Sequence, residues 1–165
     1  MRIALIIAFV LSLILTAVSF AMMPDQIASH FGPGGEPNGW SSRGFFAVMM
    51  LFIDGLMFVM FYWSPVLLDK VDARWLSLPN RDYWLTEAHL PRAKQLLGNY
   101  MAEFGVATLA LLLYAKWSTL QANLGDEPRL REEEFIWVIG IYMVYTVVWC
   151  VRLIRGFRMP RGEGL

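Results

Sequence analysis

Met23–Gly44 reads MPDQIASHFGPGGEPNGWSSRG and lies between two long apolar runs. These 22 residues hold five glycines, three prolines, one of two histidines and the first tryptophan. Glycine costs backbone entropy, and proline fixes φ and removes an N–H. The density of both predicts a system of consecutive turns, with neither helix nor regular strand. What flanks the stretch decides the fold. Ile3–Met22 is a run of 20 uncharged residues, long enough to cross a hydrocarbon core of ~30 Å. On the other side, FFAVMMLFIDGLMFVMFYW begins at Phe45 and is bracketed by Phe45/Phe46 and Tyr62/Trp63, as expected of interfacial aromatic belts. The turn system therefore joins two membrane spans.

Composition agrees. Of 165 residues, 57% are hydrophobic and 17% charged, where a soluble domain carries about a quarter charged residues. Mean hydropathy is +0.47. Formal net charge is zero, which leaves a nucleic-acid partner without an electrostatic footprint. The single Cys150 excludes an intrachain disulfide and any CxxC site. Phosphate-binding, zinc-protease and nucleophile-elbow motifs are all missing, so no enzyme activity, cofactor or metal is expected.

Two further spans follow. Asp69–Asn99 is polar, with a turn expected at Leu78–Asp82 and a helix start at Thr86 or Pro91. Trp75, Tyr83 and Trp84 among its charges suit an amphipathic elbow at the headgroup level. The third span covers about residues 99–118, either alone or as the continuation of that helix. Gly98, Ala102 and Gly105 permit close helix approach at its entry. An acidic linker, 118–134, leads to a fourth span at about 135–154. The first two spans are set at about 3–22 and 45–66. Met1–Arg2 and Ser19–Ala21 imitate a cleavable signal, but the full-length apolar run predicts a retained helix. The expected fold is all-α, a single four-helix polytopic membrane domain.

Lys and Arg fix the expected orientation. Ten lie in the N-terminus, the second connection and the tail (Arg152, Arg155, Arg158, Arg161), against four in the other two connections. Positive residues stay cytoplasmic. Both termini and the elbow are then inside a bacterial cytoplasmic membrane, and Met23–Gly44 is outside.

Two motifs carry a family resemblance. The first is Met23-Pro24-Asp25-Gln26-Ile27-Ala28-Ser29-His30-Phe31, then Gly35-Glu36-Pro37-Asn38-Gly39-Trp40 and Ser42-Arg43. The second is Leu78-Pro79-Asn80-Arg81-Asp82-Tyr83-Trp84-Leu85. Together they resemble a bacterial membrane domain of unknown function that forms the front of the sporulation-delay toxin immunity protein. Gly32 stands where that family usually has Asn, and Asn38 where it has Asp. The resemblance implies the membrane domain, and the immunity role belongs to longer relatives.

Candidate contact residues for a ligand or partner are His30, Trp40, Asp25 and Glu36 in the loop, with Arg81 and Trp84 in the elbow. The bland alternatives are specific. His30 would bond loop carbonyls, Trp40 would seat the loop on the bilayer, and Arg81 would meet lipid phosphates. Convergence of His30, Asp25 and Glu36 on a metal is not expected, since no second His is nearby and the spacing matches no metal motif. Asp54 sits mid-span, where an ionised carboxylate costs ~2.5–3.5 kcal/mol on insertion scales. It is expected to meet Thr108, Tyr142, Tyr145 or Thr146 in a structural hydrogen bond, or to work as a relay. Glu103, one turn inside the third span, is expected to reach water or pair with an Arg. Expected partners are membrane lipids and a protein partner or a second copy. The expected function is that of a non-enzymatic accessory, sensor or immunity-type factor. The alternative is a minimal transporter or proton-coupled channel using Asp54 and Glu103.

Overall fold

The computed structural model describes residues 1–158; Arg161 of the tail lies outside them. Four long helices dominate: α1 (Arg2–Met22), α2 (Arg43–Tyr62), α5 (Leu90–Asn123) and α6 (Glu132–Gly156). All four are long and apolar enough to cross a membrane. Their outward faces are apolar, as at Ile3 (75% exposed), Phe52 (69%) and Ile141 (66%). A water-facing helix would turn charged residues outward instead. This is the make-up of a multi-pass membrane protein.

α1, α2 and α5 pack mutually, while α6 lies against α5 and buries no residue of its own. Small residues make the close contacts possible. A Cβ on Gly105 would fall 2.5 Å from Phe61 Cγ and 2.9 Å from Leu5 Cδ1. Leu5, Phe61 and Leu109 then form the central apolar cluster, all buried.

The loop is not free of regular structure, as its composition suggests. Gln26–Phe31 and Pro37–Ser42 form an antiparallel hairpin, β1 and β2, with register irregularities beside His30. The glycines that argue against a strand are concentrated in the connection. There Pro33–Gly35 makes a 3-10 turn in which Gly34 (φ 85) and Gly35 (φ 77) take left-handed conformations. Strand and turn chemistry are segregated along the segment, which a summed composition hides. The fold is therefore helical with one small sheet.

Helix boundaries also move. The third membrane helix starts at Leu90 with Pro91 in its first turn, not at Thr86, and runs 34 residues to Asn123. The linker shrinks to Leu124–Arg131 accordingly. The second span ends at Tyr62, and a short α3 (Ser64–Lys70) follows. After a 3-10 turn at Ala73–Trp75, α4 (Arg81–Trp84) opens on Asn80 in a left-handed conformation (φ 53). Asn80 Nδ2 and Trp84 Nε1 both donate to the Phe157 carbonyl, each at 2.8 Å. With Ala93 and Phe157, Trp84 forms the buried cluster that ties this elbow to the end of α6.

Candidate functional site

The chain builds two noteworthy sites: a charged pair inside the helix bundle and a hairpin fixed to one end of it.

The pair begins with α1. Ser12, Thr16 and Ser19 recur at helical spacing and are all buried. Thr16 Oγ1 donates back to the Ser12 carbonyl at 3.0 Å, which satisfies the hydroxyl proton and leaves lone pairs free. Opposite lies Asp54 of α2, 1% exposed. Its expected partners on α6 are not its partners. α6 packs on α5, leaving Thr108 bonded to Tyr142 at 2.9 Å and Thr146 to the Tyr142 carbonyl. Asp54 instead meets Lys116 of α5, whose Nζ lies 2.6 Å from Oδ2. Ser12 Oγ donates to the same oxygen at 3.0 Å. The ammonium also donates to the Ser12 carbonyl at 2.9 Å and to Thr16 Oγ1 at 3.1 Å.

Both charges are 1% exposed, so the pair is sealed between three helices. Two opposite charges desolvated together hold each other, whereas either alone is costly there. One gap stands out. Asp54 Oδ1 and Ser19 Oγ are buried without a hydrogen-bond partner among the described residues.

The charge pattern along the sequence places Lys116 among the residues of the third connection. Its neighbours Tyr114 and Trp117 look like a belt at the end of a span, which hides it. The findable signal is helical phase. Gly105, Leu109, Lys116, Leu120 and Asn123 fall on one buried stripe of α5, so Lys116 shares the core face. Helical side chains also slant toward the N-terminus, which carries the Lys116 ammonium down α5 toward the depth of Asp54.

Glu103 does pair with an arginine. Its carboxylate faces the Arg152 guanidinium of α6 in two contacts, one of them 3.2 Å between Nη2 and Oε2. This pair is half-exposed on the Arg152 side and joins α5 to α6 far from Asp54 in sequence and packing.

The hairpin is clamped to the bundle from below. Ile27 packs with Met23, Phe46 and Leu120 in a buried cluster. The Asn123 carboxamide bonds both backbone groups of Ala28: Ala28 N–H donates to Oδ1 at 2.8 Å and Nδ2 donates to the Ala28 carbonyl at 3.0 Å. Nδ2 also reaches the Thr119 carbonyl, which fixes the amide's orientation. At the turn, Gly35 and Leu130 share a backbone bond at 2.9 Å, and Gly34 N–H donates to Glu132 at 2.6 Å.

The candidate loop residues do not converge. Asp25 pairs with Arg43 at 2.9 Å, and Glu36 with Arg129 at 3.2 Å. No group of three or more His, Cys, Asp or Glu among the described residues has metal-binding proximity. The His30 side chain makes no hydrogen bond among the described residues, in contrast to the expected carbonyl contacts. It lies instead over Gly39, whose lack of a Cβ makes room for it. His30 is exposed, and Trp40 is 55% exposed. In the elbow, Arg81 Nη2 donates to the Arg74 carbonyl at 3.0 Å. Trp84 is only 4% exposed, so it fastens the elbow and offers no free surface.

Residues 7–53 match the family described as a domain of unknown function (DUF1648). The match covers α1 from residue 7 onward, the hairpin and about half of α2. It includes the loop motif, Ser12 and Thr16 but stops one residue short of Asp54. No curated protein and no solved structure matches the chain.

Proposed function

We propose that this chain is a non-enzymatic multi-pass membrane protein of the accessory, sensor or immunity type. In this reading the hairpin is a fixed recognition platform outside the bacterial cytoplasmic membrane, with both termini and the elbow inside. The observation that carries it is the Asn123 clamp. Two buried hydrogen bonds and the Ile27 plug hold β1 rigidly on the bundle, while Trp40 and His30 stay exposed. A surface aromatic on a preorganised backbone makes contacts at low entropic cost. The platform lies within residues 7–53, the segment that matches the domain of unknown function.

A transporter reading has one observation in its favour, the unpartnered Asp54 Oδ1, which a water could serve. Against it stands the sealing of Asp54 and Lys116 at 1% exposure each. Glu103 is engaged separately with Arg152.

Gentle extraction followed by identification of co-purifying molecules tests the platform. A Trp40→Ala, His30→Ala variant at normal abundance should lose the partner that the native chain retains. An unaltered partner set would refute the platform. A reporter fused at Gly35 should behave as extracytoplasmic, and cytoplasmic behaviour would overturn the topology.

A further inference from the structure

α1 and α6 flank α5 without closing over it. Between them runs one face of α5, made by Ala107, Ala110, Tyr114, Trp117, Ser118 and Gln121 at three- and four-residue spacing. Three cavities lie along this face and share residues. A cavity of 540 Å³ is walled by Leu11, Ile14 and Val18 of α1 and floored by Ala110. A second, of 290 Å³, lies across Ala107 and Ala110 toward Ile141 and Tyr145 of α6. Tyr114 and Trp117 then join the first to a third cavity of 210 Å³ at the hairpin end.

The chemistry changes sharply along that line. The first two cavities are almost wholly apolar. The third is lined by Arg129, Arg131, Glu134, Ser118 and Gln121. Both signs are present there: Arg131 sits 3.2 Å from Glu134 within the lining, and Arg129 sits 3.2 Å from Glu36 just outside it.

We propose that this continuous groove binds one zwitterionic phospholipid of the leaflet at the hairpin end. Its phosphate meets Arg131 and Arg129, its amine meets Glu134 beside Tyr114 and Trp117, and an acyl chain lies over Ala110. Guanidinium groups suit phosphate oxygens, and an aromatic face suits an ammonium. The two arginines and their two carboxylates balance, which matches a headgroup carrying both signs better than an anionic one. An apolar floor that runs into an end carrying both signs has the layout of an acyl chain joined to a headgroup.

The test is native mass spectrometry of the full chain released from nanodiscs containing equal phosphatidylethanolamine and phosphatidylglycerol. The expected result is a monomer retaining one phosphatidylethanolamine, with retention at least about tenfold above phosphatidylglycerol. Two variants locate it. Arg131→Gln removes a headgroup contact on the exposed end of the groove. Ala110→Phe fills the apolar floor from an exposed position, so neither disturbs the buried core. Each should cut retention about tenfold with unchanged circular dichroism and melting. Equal or preferred phosphatidylglycerol, retention unaffected by both variants, no retained lipid, or a dimer abolished by Ala110→Phe would each overturn the proposal.

Discussion

Replacing Lys116 by Met removes the cation from the Asp54 pair while keeping a side chain of similar reach. The hydroxyls lose little. Thr16 still donates to the Ser12 carbonyl, and Ser12 still donates to Asp54. The loss falls on the carboxylate. Asp54 keeps one neutral hydrogen bond at Oδ2 and none at Oδ1 among the described residues. Breaking a buried pair by removing one partner costs about 3–5 kcal/mol, because the survivor stays desolvated. That is a factor of between a hundred and several thousand in the unfolding equilibrium. Replacing both partners, as Asp54→Leu with Lys116→Met, leaves no charge to strand and should fall within about 1–2 kcal/mol of the native chain. Reversible unfolding in mixed micelles across the four-member cycle measures the coupling directly. A Lys116→Met cost below about 1 kcal/mol would refute the lock. So would a double variant as unstable as the sum of the singles.

Other perturbations read other joints. Asn123→Ala leaves both backbone groups of Ala28 buried and unpaired, at about 1–3 kcal/mol for each. Hydrogen exchange at β1 should accelerate by at least tenfold while the helices keep their protection. Gly35→Ala would set a Cβ 2.1 Å from the Leu130 carbonyl oxygen at a φ of 77. It should detach the hairpin turn from the α5–α6 linker, read as new protease cleavage near residue 35. Trp84→Phe keeps a smaller aromatic ring but loses the bond to the Phe157 carbonyl, for a cost of about 1–3 kcal/mol from the hydrogen bond. Its signature is selective loosening of the elbow, and uniform destabilisation would contradict the role given to Trp84.

Much of this architecture is legible along the chain. Four apolar runs of membrane length announce four spanning helices, because in lipid only helical backbone satisfies its own hydrogen bonds locally. Asp54 stands out for the same reason: a carboxylate amid Leu, Phe and Ile must have a partner. The partner is harder to read. Lys116 sits 62 residues away, beside belt-like aromatics, and only the phase of the buried stripe on α5 places it inside. The hairpin is obscured by its own turn, whose glycines and prolines outweigh the strands when the segment is read as a whole.

Length and hydropathy by themselves determined that the chain carries four helices able to cross a membrane, and which buried charge needs explaining. These properties follow from local transfer energies, summed residue by residue. Tertiary structure alone decided that α5 is the common neighbour of the other three membrane helices. From that follow Lys116 opposite Asp54, Arg152 opposite Glu103 and Asn123 beneath Ala28. Each depends on the rotation of one helix against another, a relation set by packing across distant segments. So the loop that marks the chain is fastened in part by one asparagine 95 residues further on, where β1 meets the end of α5.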